Sequence, residues 1–277
     1  MDFGMKYTVL TLFPEIIDAY FASSIMAKAL ARGIMEYRAV NIRDYTTDKH
    51  HACDDAPYGG GAGMLMLAEP LGRALEAVGA KSRINNGATR LDSPVSPDLR
   101  VVYLTPSGKP FNQARARELA GGKELILLCG RYEGIDQRII DCYVDEEISV
   151  GDYVLSSGEV AALVLIDATY RLVEQVITPA SLEEESFNPL LLEYPQYTRP
   201  EIYDNVGDTL KVPEVLLSGH HENIRRWRLE KRVEKTLNLR PDLIRLGEER
   251  ELFDAETRKI IEQKRLTACR QPDEEER

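Results

Sequence analysis

The chain has 277 residues, 43% hydrophobic and 29% charged, with a formal net charge of −11. That is the composition of an ordinary globular protein with core enough for one large or two modest domains, and the acidic balance argues against a general nucleic-acid binder. No apolar run approaches the ~20 residues of a membrane helix, and the four cysteines (Cys53, Cys129, Cys142, Cys269) show no CxxC spacing, so free thiols, a cytoplasmic setting and no membrane partner are expected.

The first residues, MDFGMKYTVLTLFPEII, read as a strand, Tyr7–Leu12, rather than a signal peptide, because an acid stands second and no small-residue cleavage site follows. Pro14 then opens a helix over 14–22 and Ser24 is expected to cap another over 24–32. Strands are expected over Met35–Asn41, Arg100–Leu104, Leu125–Cys129 and Glu147–Ser149, alternating with helices over 68–78, 112–120, 134–143 and 159–171. Such alternation specifies a parallel sheet with helices on both faces. Residues 80–99, rich in Asn, Ser, Pro and Gly, read as a long surface loop. Prolines and an acidic triplet near 177–190 mark a linker. Beyond it, helices are expected over Val215–Asn238, Asp242–Leu246 and Ala255–Leu266, with a turn at Gln196–Pro200 and a disordered QPDEEER end. His220–Arg245 carries eight Lys or Arg against four acids, one basic region on an acidic molecule.

Three loops follow strand ends: LTPSG (104–108), CGRYEG (129–134) and SVGDYVLSSG (149–158). Open α/β sheets bind ligands at strand ends, and glycine admits close backbone approach. Together the loops are expected to form one small-molecule pocket suited to an adenosine-like ligand. The run PYGGGAGM (57–64) lacks the Lys-Ser/Thr of a P-loop and has no clear strand before it, so a flap touching substrate is preferred to a nucleoside-triphosphate site. His50-His51 and His220-His221 lack zinc-ligand spacing, and no metal site is expected. The second pair, ahead of the basic helix, suits a helix start near phosphate. Trp227, among Arg225, Arg226 and Arg228, is expected in the core rather than stacked on a base.

Taken together, LTLFPEI, RDYTTDKHHACDDAPYGGGAGMLM, LTPSGK, LCGRYEGID, EEISVGDYVLSSGE, SFNPLLLEYPQYTRP and VPEVLLSGHHENIRRWR occur in order over most of the chain, residues 10–228. In these motifs the sequence resembles the bacterial tRNA (guanine-N1)-methyltransferases of the TrmD type, members of the SPOUT superfamily. The resemblance implies an α/β SPOUT domain over 1–177 with a parallel sheet and a deep trefoil knot near 103–171. It further implies a flexible linker over 178–189, a small helical tRNA-binding domain over 190–277, and a homodimer with shared active sites. S-adenosyl-L-methionine would be the methyl donor, held by Tyr103, Leu104, Pro106, Gly130, Tyr132, Glu133, Ser149, Val150, Gly151, Asp152, Tyr153, Val154, Leu155 and Gly158. The substrate would be tRNA with guanosine at positions 36 and 37, contacted by Tyr58, Gly59, Gly60, Gly61, Glu133, His220, His221, Arg225 and Arg226, within a basic run reaching Arg232. Arg171 matches the family's catalytic cation. The family's general base is an aspartate, and Glu185 stands there, with Glu184 as second choice. Ser157 replaces a glycine and Ala161 a proline. The resemblance leaves a Mg2+ requirement open. The alternative reading is a catalytically silent tRNA-binding relative, motivated by Glu185 and Ser157.

Overall fold

A computed structural model describes residues 4–83, 98–176, 185–205 and 208–268. The chain divides into two compact units, Met1–Ile177 and Thr178–Arg277.

In the first unit, β1 (Met5–Thr11) leads into α1 (Pro14–Phe21), α2 (Ser24–Ala31) and β2 (Met35–Asn41). A two-residue ribbon of β3 (Asp54–Asp55) and β4 (Leu65–Met66) is followed by α3 (Ala68–Ala77) and β5 (Leu99–Pro110). Then come α4 (Gln113–Ala120), β6 (Glu124–Cys129), α5 (Gln137–Tyr143), β7 (Glu146–Ser149) and α6 (Gly158–Tyr170). Five strands form one sheet in the order β2-β1-β6-β5-β7, every pairing parallel. Period-two alternation sends Leu125, Leu127 and Cys129 of β6 into a core with α1, α2, α4 and α6, and Ile126 and Leu128 into a second core with α3 and α5. Each such full burial contributes about 1.5–3 kcal/mol. All five strands run the same way through the sheet, and the irregular stretch of β5 at 104–108 lies at the same edge as the loops after β6 and β7.

Several expectations are corrected. β5 does not stop at Leu104: after a register shift between Leu104 and Lys109 it pairs with β7 again at Ile148 and Ser149. The loop 104–108 is thus held at both ends. Ser24 is not a cap; Ser23 precedes the helix, and its hydroxyl donates to Tyr20 O instead. α5 begins at Gln137, not Gly134, because Ile135 is bridged to Met66 and Asp136 caps the helix by accepting from Arg138 N. The glycine run is preceded by a strand after all, the short β3. Of the loop 80–99, residues 84–97 lie outside the described residues, while Arg83 pairs with the buried Asp145.

The second unit contains a hairpin, β8 (Ile202–Asn205) and β9 (Asp208–Lys211), which the helical reading had missed. Its helices are α7 (Glu214–Leu217), α8 (His221–Leu239), α9 (Pro241–Glu249) and α10 (Ala255–Ala268). The single helix expected over Val215–Asn238 is two, broken at Gly219, whose φ of +69° lies in the left-handed region. No regular turn forms at Gln196–Pro200. The core of this unit is Leu191, Val233, Ile244, Phe253, Ile260 and Ile261. Trp227 is outside it, half-buried beside Tyr197 at 6.4 Å. Among the described residues no helix is long and apolar enough to cross a membrane.

Candidate active site

The three strand-end loops of the first unit enclose a cavity of about 200 Å³. Tyr103, Leu104 and Pro106 form one wall, Gly130, Tyr132 and Glu133 a second, and Ser149, Val150, Gly151, Tyr153, Val154, Leu155 and Gly158 the third. Asp152 is the exception among the residues assigned to the cofactor: it is exposed and does not line the cavity. Its neighbours Gly151 and Tyr153 take the wall positions while Asp152 turns outward.

The walls are joined by backbone. Gly158 N donates to Gly130 O at 2.9 Å, and a Cβ on Gly158 would stand 2.7 Å from Gly130 N and 2.8 Å from Cys129 Cα. Glycine is required there because two main chains pass too closely for a side chain. Ser157 needs no such allowance. Its φ of −163° and ψ of 153° are extended backbone open to any residue, so the Ser-for-Gly departure introduces no strain. Ala161 also lines the cavity from the first turns of α6. Tyr132, by contrast, is a non-glycine residue at φ +58° and half-exposed, backbone cost of the kind stored at ligand sites. Burial first, and the Glu147 charge second, push the Tyr103 hydroxyl above its ordinary pKa, so this wall residue stays neutral.

The glycine loop reaches this cavity through β4. Met66 N donates to Gly134 O at 3.0 Å and Glu133 N to Met64 O at 3.0 Å. Gly63, at φ +88°, lies against Glu133, and a Cβ there would overlap that side chain. Tyr58, Gly59, Gly60 and Gly61 form the exposed outer part of the loop, with Tyr58 fully solvent-accessible.

Sequence reasoning gave no separate role to Glu159, Arg131 and Thr11. Glu159 is 0% exposed, accepts from Thr11 Oγ1 at 2.6 Å, and lies 3.5 Å from Arg131 Nε. Arg131 lines the cavity and stacks its guanidinium 4.2 Å over the Phe13 ring. The signal was present in the charges of GRYEG and SSGE, but spacing does not say that the two loops meet. Burial, with the Glu159 charge next, raises the neighbouring Cys129 thiol well above its ordinary pKa and keeps it protonated.

Arg171 caps the C-terminal end of α6 in helical conformation and is half-buried. In the second unit, Glu185 begins a compact return: Asn188 N donates to Glu185 O at 3.3 Å, Phe187 N to Leu191 O at 2.7 Å, and Glu193 N to Ser186 Oγ at 3.0 Å. Residues 185–189 of the expected flexible linker are therefore folded, and Arg232 holds them by donating to Asn188 O and, at 3.4 Å, to Leu192 O. Glu184 lies outside the described residues. Arg232 is only 9% exposed, which removes it from the surface run. Arg225 pairs with Glu222 and Glu256, and Arg226 with Glu230. His220 and His221 stand at the start of α8, where the N-terminal end of the helix favours anions. Among the described residues no three His, Cys, Asp or Glu are grouped to hold a metal ion.

A parallel α/β sheet with a glycine-walled cavity at its carboxyl edge, overlooked by a glycine-rich ribbon, defines a ligand-binding α/β domain. The comparisons specify which. The family model described as tRNA (Guanine-1)-methyltransferase TrmD matches residues 5–246, and the chain belongs to that family. It is 57% identical over 259 residues to a tRNA (guanine-N(1)-)-methyltransferase of Treponema denticola, covering 94% of this chain and 98% of that one. Proteins of the same name in Treponema pallidum and Borreliella burgdorferi are 58% identical over 240 residues (87% and 88% covered) and 55% over 241 residues (86% and 92%).

Proposed function

We propose that this chain transfers a methyl group from S-adenosyl-L-methionine to N1 of guanosine 37 in tRNA. Family membership over residues 5–246 carries the reading, and the cavity between the 104–108 stretch of β5 and the loops after β6 and β7 supports it. The fit is chemical: the walls offer main-chain amides and carbonyls for an adenine edge, apolar contact from Leu104, Pro106 and Leu155, and glycine where chains must pass closely. When bound there, the donor supplies a methyl on a sulfonium centre.

The chain's own task is then to prepare and align the base. Guanine N1 carries a proton and is a poor nucleophile near neutral pH. Glu185 accepts that proton as general base, and the Arg171 guanidinium stabilises the charge that develops on O6. Glutamate in place of aspartate keeps the charge and adds a methylene of reach. Glu133 meets the target base, and alignment for in-line transfer supplies much of the acceleration. The glycine loop and the start of α8 hold the tRNA next to guanosine 36.

We further propose that residues 103–171 thread a trefoil knot and that two copies of the chain share each active site. The close approach of Gly158 to Gly130, where the start of α6 meets the loop after β6, is a contact of the kind a threaded chain makes. The dimer is supported by exposed apolar residues, Tyr153 and Val154 on the cavity wall and Val160 and Val164 one turn apart on α6, Val154 being 86% exposed. A cytoplasmic location follows from the substrate.

The test is transfer of labelled methyl to a tRNA transcript with guanosine at positions 36 and 37. Glu185→Gln and Arg171→Ala are each expected to lower kcat by about 10²–10⁴-fold. Full activity in Glu185→Gln would remove it as the base. No transfer by the wild type, with tRNA binding intact, would leave the silent relative as the reading.

A further inference from the structure

We infer that Glu159 is a positioning residue of the cofactor site, setting the spacing of the Gly130 and Gly158 walls through Arg131 and Thr11. The inference rests on the reading of the cavity as the methyl-donor site.

Four side chains and one amide form a closed circuit behind the wall. Phe13 N donates to Thr11 Oγ1 at 2.9 Å, and the same hydroxyl donates to Glu159 Oε1 at 2.6 Å. The other oxygen, Oε2, faces Arg131 Nε at 3.5 Å. The Arg131 guanidinium lies over the ring of Phe13, 4.2 Å away, which closes the loop. The circuit therefore joins the end of β1, the loop after β6 and the first turn of α6. Its chemistry is that of a device held under constraint. Glu159 is fully buried, yet Oε2 and Arg131 Nε are both buried without a hydrogen-bond partner, at a separation just beyond one. A buried charged pair that only approaches hydrogen-bond length is a poor source of stability, because desolvation of both ions offsets most of the attraction. It is placed to act as a spacer, because closing the walls by a few tenths of an ångström would bring Oε2 and Nε to ordinary hydrogen-bond length. One covalent step from each partner lie the paired backbones of Gly130 and Gly158, and Arg131 itself faces the cavity. The Thr11-Leu12-Phe13-Pro14 run at the end of β1, far from the cavity loops in sequence, acquires a role in this way: it anchors the spacer from behind.

A purely structural role would show only in stability, so the test separates stability from ligand affinity. Glu159→Gln keeps the shape and removes the charge; Thr11→Val removes the anchoring hydroxyl; Arg131→Lys keeps the charge and removes the planar stack. The Kd for S-adenosylhomocysteine by calorimetry, the KM for S-adenosylmethionine, the KM for tRNA, and Tm are measured for each beside the wild type. Glu159→Gln and Arg131→Lys are expected to weaken the nucleoside ligand about tenfold and Thr11→Val about threefold, with the change carried by cofactor KM rather than by kcat or tRNA KM. Should Glu159→Gln fail to fold, Thr11→Val reads the same link. Folded variants that bind S-adenosylhomocysteine as tightly as the wild type, whatever their Tm, would overturn the proposal alone. A wild type that binds no S-adenosylhomocysteine would overturn the reading of the cavity and this proposal with it.

Discussion

Adding one methyl group at Gly158 is the most direct perturbation of the cavity. A Cβ there would stand 2.7 Å from Gly130 N, short of ordinary contact at 3.4 Å by about 0.7 Å. The neighbours are main-chain atoms of Cys129 and Gly130, which cannot rotate away as a side chain could. The two walls must therefore separate, and the 2.9 Å bond from Gly158 N to Gly130 O lengthens or breaks. Overpacking of this kind costs ~1–3 kcal/mol and the lost hydrogen bond ~0.5–1.5 kcal/mol, so Gly158→Ala is expected to cost about 2–4 kcal/mol. In a unit of this size that is a fall in Tm on the order of 5–15 °C, accompanied by weaker binding of S-adenosylhomocysteine in calorimetry. Ser157→Gly is the control: its extended backbone carries no strain to relieve, so it costs no more than about 1 kcal/mol, through the unfolded state, and leaves affinity unchanged. Gly158→Ala with wild-type Tm and wild-type affinity would refute the close-approach argument.

Gly63→Ala places a side chain at φ +88° and against Glu133, so it is expected to cost about 1 kcal/mol or more and to raise the KM for tRNA; an unchanged KM would disconnect the glycine loop from Glu133. Asp254 accepts from Thr257 N at 2.7 Å, and that backbone bond, with the Thr257 hydroxyl next, holds its pKa below the ordinary 3.8. Because the folded value is depressed, the contribution is present above about pH 4 and lost as pH falls through the lower folded value. Because this bond lies at the start of α10, Asp254→Ala should cost about 1 kcal/mol at neutral pH and flatten the acid limb of unfolding followed by circular dichroism; an acid limb identical to the wild type would count against a stabilising role for the Asp254–Thr257 bond. Trp227 is the chain's one tryptophan and lies on α8 beside Tyr197. Its fluorescence is expected to change on addition of tRNA, with affinity falling at least about tenfold between 50 and 200 mM salt; salt-independent binding would remove α8 as an electrostatic surface.

What could be read from residues alone was set by local signals. β2 was legible from end to end, and β1 and β6 to within two residues, because a glycine (Gly33, Gly4, Gly122) stands just before each and strand-forming residues follow it. The continuation of β5 was not legible: Thr105-Pro106-Ser107-Gly108 has turn chemistry, and only the return to Ile148 across the sheet makes Lys109 and Pro110 part of a strand. The hairpin at 202–211 carried its own signal, alternation around Asp204-Asn205-Val206-Gly207-Asp208, and was lost to the helical expectation for that half. Helical periodicity likewise outweighed Gly219, which breaks the segment in two. In the site, the three loops were identified by glycine content and position. That Asp152 points away, that Arg232 is buried against Asn188 and Leu192, and that Glu159 meets Arg131 are long-range facts without a local signature.

The strand order has a consequence for how the chain is made. β1 is emitted first but sits inside the sheet, with β2 on one side and β6 on the other. Its pairing with β2 can form early, while Thr8 waits for Glu124, 116 residues later. At ribosomal rates that interval is on the order of ten seconds. During it, the open flank of Tyr7–Leu10 is an unsatisfied template for any extended chain nearby. Slow, non-local closure is thus built into the topology, and the yield of refolding is expected to depend more on protein concentration than on the stability finally reached.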